Sequence, residues 1–345
     1  MLKHTLARLA WILAILPIAA GAAGRSEASA ATKTAGEVAV YSARTEPLIK
    51  PLFDEYTKTT GVKIKFVTAE AGPLLQRLKA EGKNTPADLL ITVDAGNLWQ
   101  AKQEGLLQAA ESKTLTDNIP AHLRDPENQW FGLSIRARTV VYNKLKLKPA
   151  ELSTYEGLAD SKWKGKLCLR TSKKVYNQSL VAMLIAQKGE AEAERIVKGW
   201  VANLGAPVFS NDVQVMDAIV AGQCEVGLVN TYYFGRLMKK KPDLPLALFW
   251  PNQDGTGVHV NVSGAGIVKN AKHPKEALAL LEWLSSAKAQ EVFAGSNLEY
   301  PANPAVKPDP AVAAWGSFKQ STINVSQAGQ LQAAAIKLMD RAGYH

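Results

Sequence analysis

The sequence predicts an α/β protein with two lobes, each a mostly parallel sheet flanked by helices. Short apolar strands alternate with amphipathic helices along the first part of the chain, which is typical of parallel sheets. The alternation stops at extended stretches near 130–142 and 256–268 and resumes between them. We expect these two stretches to cross between the lobes and to leave a ligand cleft. A single larger α/β domain is the alternative.

The first lobe is predicted to comprise residues 36–133 and 263–288. Its expected elements alternate regularly: strands at 38–41, 62–67 and 88–92, and helices at 47–59, 73–80 and 95–105.

The second lobe is predicted to span 134–262, with C-terminal helices in 289–345 packing on both lobes. Its expected elements are strands at 166–169 and 225–229 and a helix at 177–187. The two crossings between the lobes are expected as extended segments at 130–135 and 139–142, and at 258–262 and 266–268. Helical spacing of apolar residues at 193–201 marks one more buried helix face. Helices are also expected at 274–285 and 327–342.

The first thirty residues are predicted to be a cleavable signal peptide. Lys3 and Arg8 give a positive start, an apolar run follows at 9–20, and Ala28-Ser29-Ala30 offers a cleavage site near Ala30. The run is short for a membrane span, although an uncleaved anchor is the alternative. We therefore expect export to the periplasm.

The remaining composition excludes several classes of protein. With 47% hydrophobic and 21% charged residues, the chain is neither disordered nor collagen-like. Its net charge of +10 first suggests nucleic acid. Removing Lys3, Arg8, Arg25 and Glu27 with the signal peptide lowers that charge to +8. Export leaves no nucleic-acid partner to expect, and we expect a monomer.

Two cysteines in an exported chain suggest one disulfide, Cys168–Cys224. Two buried free thiols are the alternative. The bond would tie together the two strands that precede the most informative residues of the sequence.

Those residues are three tyrosines at strand-to-helix turns. Tyr232 and Tyr233 follow the strand at 225–229 and open a helix, with Asn230 or Thr231 as N-cap; Tyr176 lies in the same context after the strand at 166–169. A phenol ordinarily titrates near 10, but a highly charged cation can displace its proton. Ferric iron suits such anionic oxygen donors. Packing is the alternative role for tyrosine, and it is the role we expect for Tyr56, Tyr142, Tyr155 and Tyr300. Tyr41, at the end of the first strand, is expected to pack or to lie beside the ligands rather than to bind the metal.

Other chemistries lack their motifs. The four histidines after residue 30 show no metal-ligand spacing, and there is no CxxC pair. A phosphate-binding loop and a G-x-S-x-G nucleophile elbow are also missing. No catalytic constellation emerges, so we do not expect an enzyme.

The sequence resembles the periplasmic ferric-iron-binding proteins of bacterial ABC importers. The similarity runs through nearly all of the chain after the signal peptide. Among the segments that carry it are WFGLSIRARTVVYN (130–143), VYNQSLVAMLIA (175–186) and NTYYFGRL (230–237), which are specific in combination rather than singly. The resemblance implies a type II periplasmic-binding-protein fold and an inner-membrane permease, with its cytoplasmic ATPase, as partner.

The resemblance also implies a ligand set. Tyr176, Tyr232 and Tyr233 correspond to the tyrosines that bind ferric iron, which would be the transported ligand. Where many relatives carry histidine after the first strand, this chain has Thr45 and Glu46. Glu46 is therefore a candidate fourth ligand, and a carbonate-like anion or small carboxylate is the alternative.

Three arginines are candidates for balancing charge or holding that anion: Arg44, Arg136 and Arg236. Three phenolates neutralise Fe³⁺, so a fourth anionic donor leaves excess negative charge that a cation would offset. Structural salt bridges are the alternative role for these arginines. For the protein as a whole, the alternatives are the same fold binding thiamine, a phosphonate, a polyamine or an oxyanion, and, less favoured, an exported enzyme.

Overall fold

The computed structural model describes residues 36–345, which form ten strands and thirteen α-helices. The strands are β1 (Glu37–Ser42), β2 (Lys63–Thr68), β3 (Leu89–Thr92), β4 (Leu107–Gln108), β5 (Phe131–Asn143), β6 (Leu167–Cys168), β7 (Val226–Asn230), β8 (Leu246–Phe249), β9 (Val260–Val268) and β10 (Tyr300–Pro301). The helices are α1 (Glu46–Thr60), α2 (Ala71–Glu81), α3 (Ala95–Gln103), α4 (Lys113–Asn118), α5 (Val175–Lys188), α6 (Glu190–Ala202), α7 (Asp212–Val220), α8 (Thr231–Lys240), α9 (Pro274–Ser285), α10 (Ala287–Gly295), α11 (Pro310–Ala313), α12 (Gln327–Gln330) and α13 (Gln332–Arg341).

One continuous hydrogen-bonded path joins the strands in the order β2-β1-β3-β9-β5-β7-β6. The two long central strands, β5 and β9, are antiparallel to each other and to their outer neighbours. Among the ten strands, β1 pairs in parallel with β2 and β3, and β6 pairs in parallel with β7. The sheet is therefore mixed rather than mostly parallel as expected, because the two crossing strands run against the strands on either side.

The hydrophobic core divides along β5. Ile135 and Ala137 pack with β1, β3, β9, α1 and α9, whereas Val140 and Tyr142 pack with α5, α6 and β7. We call these two parts the first and second lobes. The predicted boundary at 133/134 falls within β5, and the change of core lies further along the same strand, between Ala137 and Val140. The C-terminal helices pack on both parts, α10 on the first lobe and α13 on the second.

Several predicted elements differ from those observed. The extended segments at 130–135 and 139–142 form a single strand, β5, and those at 258–262 and 266–268 merge in β9. All thirteen β5 residues are buried, so the strand lacks the alternation that would have revealed its length. The helix predicted at 327–342 divides into α12 and α13 at Leu331, whose φ of −101° and ψ of 5° interrupt the helix.

The structure joins Cys168, at the end of β6, to Cys224, two residues before β7. Both cysteines are buried. Because β6 and β7 pair side by side, the bond crosslinks the two strands that lead to the tyrosines.

No helix within residues 36–345 is long and apolar enough to cross a membrane. The predicted signal peptide, at 1–30, lies outside the described residues.

Candidate metal centre

The three predicted tyrosines lie at the N-termini of two helices of the second lobe. Tyr232 and Tyr233 are the second and third residues of α8, directly after β7, and Asn230 is the N-cap. Tyr176 is the second residue of α5 and follows β6 after a short loop. Helix N-termini carry partial positive charge and favour anionic groups. Both turns therefore suit phenols that become phenolates.

A cavity of about 240 Å³ between the lobes brings the tyrosines together. Its lining comes from both lobes and from β5: Ala43, Arg44, Thr45, Leu48, Glu70, Val93, Arg136, Lys174, Tyr176, Tyr232, Tyr233, Arg236, Asn297 and Glu299. Every tyrosine and arginine nominated for the site lines this one cavity.

The tyrosine rings are close and mostly shielded from water. The Tyr232 and Tyr233 ring centroids are 4.4 Å apart, and Tyr232 is only 6% exposed. The Asn230 side-chain amide donates to the Tyr232 hydroxyl oxygen over 3.4 Å. Burial raises the pKa of Tyr176 to about 12, against the opposing charge of Arg136. Burial, together with its tyrosine neighbours, raises the pKa of Tyr232 well above 10. Without a cation, these two phenols hold their protons at neutral pH.

Arg136 lies on β5 between the two lobes. Its guanidinium donates to the Val93 carbonyl, lies 3.6 Å from the Asp94 carboxylate and has its Cζ 5.6 Å from the Tyr176 ring centroid. It is therefore close enough to stabilise an anionic phenolate while it links the first lobe to the crossing strand.

Arg44 and Arg236 have different surroundings. Buried Arg44 forms a 2.9 Å salt bridge with buried Glu299 and also donates to the Phe293 carbonyl. Its charge is thus already matched by a carboxylate. Arg236, half-buried on α8, places its Cζ 5.2 Å from the Tyr232 ring centroid. Arg236 is therefore the better placed of the two to act on a phenolate.

Glu46 is exposed at the start of α1 and is not among the residues that line the cavity. Its role as a fourth ligand stays a prediction. The carboxylates that do line the cavity are Glu70 and Glu299, neither of which the sequence singled out. Glu299 already accepts hydrogen bonds from Arg44 and Ser134. Glu70 is the carboxylate of the cavity that does not accept from these two residues.

Sequence reasoning missed a buried charged group behind the tyrosines. Arg170, two residues after β6, places its Cζ 5.5 Å from the Tyr176 ring centroid and 6.0 Å from that of Tyr233. Its partner is Asp212, at the first position of α7. In the sequence, only its position just after a strand could have marked Arg170 as a site residue. Its pairing with Asp212 could not, because the two residues are 42 positions apart in the chain.

The other tyrosines lie outside the cavity lining. The Tyr41 hydroxyl donates to Glu81 and that of Tyr155 to the Arg138 carbonyl. Tyr56 packs edge-on against Trp283.

Among the described residues, no cluster of three or more His, Cys, Asp or Glu side chains could hold a metal ion. The cleft instead offers hard phenol oxygens, surrounding cations and a rim carboxylate. Such a donor set suits a hard, highly charged cation better than the softer metals that prefer imidazole or thiolate.

Comparison with known proteins agrees with this architecture. The family model described as bacterial extracellular solute-binding protein matches residues 51–320. The chain is 42% identical to Iron uptake protein A1 of Synechocystis sp. over 89% of its length and 87% of that protein. It is 27% identical to the Fe(3+)-binding periplasmic protein of Serratia marcescens, covering 89% of this chain and 90% of that one.

A solved structure is similar over the same region. The Trichodesmium protein termed IdiA or FutA, solved in complex with iron and citrate ligands, superposes with a TM-score of 0.87 at 46% identity. The match covers 90% of this chain and all of that chain. The two-lobed α/β fold and the family resemblance predicted from the sequence are thereby confirmed.

Proposed function

The chain belongs to the bacterial extracellular solute-binding protein family, and we propose that it captures ferric iron in the cleft between its lobes. Tyr176, Tyr232 and Tyr233 bind the metal as phenolates. The observation that carries the proposal is the meeting of these three phenols in one cavity whose other charged groups are mainly cations.

The chemistry of the cleft supports a trivalent ion. Loading requires that protons leave phenols whose pKa values are raised by burial, and a hard cation of high charge provides that driving force. Three phenolates then balance the charge of Fe³⁺. The names of the similar proteins point the same way, since they refer to iron uptake, Fe(3+) binding, and iron with citrate.

We infer that the protein is the substrate-binding component of an ABC transporter and acts in the periplasm as a monomer. It passes the ion to an inner-membrane permease served by a cytoplasmic ATPase. The lobes close around the metal by bending at β5 and β9, and they open on the permease. In this role the protein binds and releases its ligand without transforming it, so it is not an enzyme.

A small anion completes the metal's coordination in this proposal, either carbonate-like or a carboxylate. Arg136 and Arg236 lie in the cavity with their guanidinium groups near tyrosine rings, and Lys174 places its Nζ 5.4 Å from the Tyr176 ring centroid. These cations offset the negative charge that an added anion brings. Glu46 remains a candidate for direct coordination, although it lies outside the cavity lining.

Addition of Fe³⁺ to the metal-free protein tests the proposal. We expect a red or orange absorption band, because phenolates transfer charge to ferric iron. The Tyr232→Phe, Tyr233→Phe double variant should lose the band and most of the affinity. Tyr56→Phe is the matched control, since Tyr56 packs against Trp283 away from the cavity.

A double variant that keeps the band and full affinity would exclude the tyrosine site. Insensitivity of the wild-type protein to iron, with thermal stabilisation by a phosphonate or another oxyanion, would instead favour the anion-binding alternative that the arginines of the cleft permit.

A further inference from the structure

Two buried arginines behind the tyrosine pair share one carboxylate. Arg138 Nη1 lies 3.1 Å from one oxygen of Asp212, and Arg170 Nη1 lies 3.4 Å from the other. Asp212 is completely buried, and the two arginine side chains are at most 7% exposed. The group therefore carries one more positive than negative charge inside the second lobe.

The same carboxylate fixes the start of the helix that carries two tyrosines. The Asn230 backbone N–H donates to Asp212 over 2.8 Å, and Asn230 is the N-cap of α8. The Asn230 side chain in turn reaches the Tyr232 hydroxyl. Asp212 thus controls the position of both Arg170 and the turn before Tyr232.

Other buried arginines of the cleft have carboxylate partners of their own. Arg44 is paired with Glu299, and Arg136 lies beside Asp94. Of the arginines that share Asp212, Arg138 donates one Nη to the Leu228 carbonyl and the other to the Asn230 amide oxygen, so it reaches the tyrosines only through Asn230. Arg170 is the one that lies against the rings of Tyr176 and Tyr233.

Arg170 also keeps an unused donor. Its Nε is buried and has no hydrogen-bond partner within residues 36–345. A buried guanidinium N–H without an acceptor is costly, and an anionic oxygen nearby relieves that cost. An arginine guanidinium keeps its proton in proteins, and the Asp212 carboxylate beside it favours the charged form. The group is therefore a permanent cation.

We propose that Arg170 is a second buried cation, in addition to Arg136, that stabilises the phenolate forms of Tyr176 and Tyr233 when iron binds, and that Asp212 is the positioning residue that holds it there. The inference rests on the proposed function and refines it. It transfers to Arg170 the charge-balancing role that the sequence suggested for Arg44.

The sign of the effect follows from the charges in the two states. A neutral phenol interacts only weakly with the guanidinium of Arg170, whereas a phenolate carries a full negative charge. In the loaded cleft three phenolates and one further anion outweigh Fe³⁺ by one negative charge, and the phenolates of Tyr176 and Tyr233 adjoin the guanidinium. A buried cation therefore stabilises the loaded state more than the empty one.

Arg170→Gln and Arg170→Lys form the central comparison. Gln keeps a polar side chain but carries no charge, whereas Lys keeps the charge. We expect Arg170→Gln to weaken Fe³⁺ binding, measured by competition with a chelator, roughly 10- to 100-fold and to shift the charge-transfer band. Arg170→Lys should stay within about threefold of wild type and keep the band. The control, Arg195→Gln, removes an exposed arginine of α6 and should change neither.

Asp212→Asn separates positioning from simple charge. Removing a negative charge near the phenolates would by itself tighten iron binding. Loss of the group that holds Arg170 and Asn230 would weaken it, and we expect weaker binding. Binding as tight as wild type, or tighter, would overturn the role of Asp212.

Wild-type affinity and an unshifted band in Arg170→Gln would overturn the role of Arg170, as would a Lys variant as weak as the Gln variant. Thermal melting of each metal-free variant checks that it folds. If Arg170→Gln shows no cooperative melting transition and is therefore not folded, Arg170→Met takes its place as the uncharged variant. A wild-type protein without an iron band would refute the proposed function itself, which keeps the two failures distinct.

Discussion

The Asp94 carboxylate of the first lobe accepts a hydrogen bond from the Ser179 hydroxyl of the second lobe, with Ser179 Oγ 3.1 Å from Asp94 Oδ1. Asp94 is completely buried at the N-cap of α3, and it also accepts from Asn261 and the Gly96 backbone. Ser179 lies one turn after Tyr176 on α5. The contact therefore ties the first lobe to the helix that carries a proposed ligand.

Ser179→Ala should weaken the closed arrangement without removing a ligand. A hydrogen bond to a charged acceptor contributes about 1.5–3 kcal/mol, but Asp94 keeps other donors, so we expect a loss of about 1 kcal/mol. That corresponds to roughly fivefold weaker iron binding, with faster release to a chelator. Ser317→Ala, at an exposed position, is the control. Unchanged affinity and release would show that the contact does not favour the loaded form.

Iron affinity should fall steeply as the pH falls. Burial raises the pKa of Tyr176 to about 12 and the pKa of Tyr232 well above 10, so both phenols stay protonated in the metal-free protein at ordinary pH values. Each bound phenolate therefore releases a proton, and three phenolates give up to about a thousandfold loss of affinity per pH unit. Titration between pH 8 and 5 with a chelator of known pH dependence measures the slope. A slope near zero would contradict phenolate coordination.

Glu70→Gln should weaken iron binding more than Glu46→Gln. Of these two residues, Glu70 lines the cavity, whereas Glu46 is exposed at the start of α1 and lies outside the lining. We expect the Glu70 variant to lose roughly tenfold in affinity, as for loss of one charged interaction, and the Glu46 variant to match wild type. The reverse result, measured with the same chelator competition, would support Glu46 as the fourth ligand that the sequence suggested.

Reduction of the Cys168–Cys224 disulfide should destabilise the protein. The cysteines are 56 residues apart, and the chain-entropy relation gives about 4 kcal/mol for a loop of that length. Urea unfolding with and without a reductant measures the difference in the free energy of unfolding. The Cys168→Ser, Cys224→Ser variant serves as control, because a reductant should not affect it further. Equal unfolding midpoints for oxidised and reduced wild-type protein would contradict the expectation.

Gly264→Ala should also be destabilising, because β5 and β9 approach closely there. A Cβ at Gly264 would lie 2.4 Å from the Phe131 carbonyl oxygen, which is backbone and cannot turn aside. We expect a loss of about 1–3 kcal/mol in the free energy of unfolding. Gly72→Ala on α2, where a Cβ meets nothing within 4 Å, should be neutral or slightly stabilising. Equal urea midpoints for the two variants would refute the packing argument.

The sequence predicted the parts of the site that follow local rules. Tyr176 and Tyr232 are found at strand-to-helix turns, a position that can be read from periodicity alone. Arg170 and Asp212 could not be identified in this way, because each acquires its role from a partner that is distant in the chain. Glu70 likewise lies at the helix N-cap before α2, where the chain gives no hint that it faces the tyrosines.

The fold was predictable to a similar extent. Strand–helix alternation revealed the units that surround β1, β3 and β7, but charged residues concealed the crossing strand. Arg136 and Arg138 interrupt the apolar pattern of β5, although both are buried and paired with carboxylates. Hydrophobicity rules read such residues as exposed, and only the tertiary structure supplies the partners that permit their burial.

The crossing strand β9 also affects how the chain folds. β3 pairs with β9, so Leu89 finds its partner, Ile267, only after most of the chain has been synthesised. The sheet of the first lobe is therefore completed by a segment that follows the whole second lobe in sequence. Such long-range pairing slows folding. A nascent chain of this topology consequently stays incompletely folded for most of its synthesis, which is the condition that passage through a narrow protein-conducting channel requires.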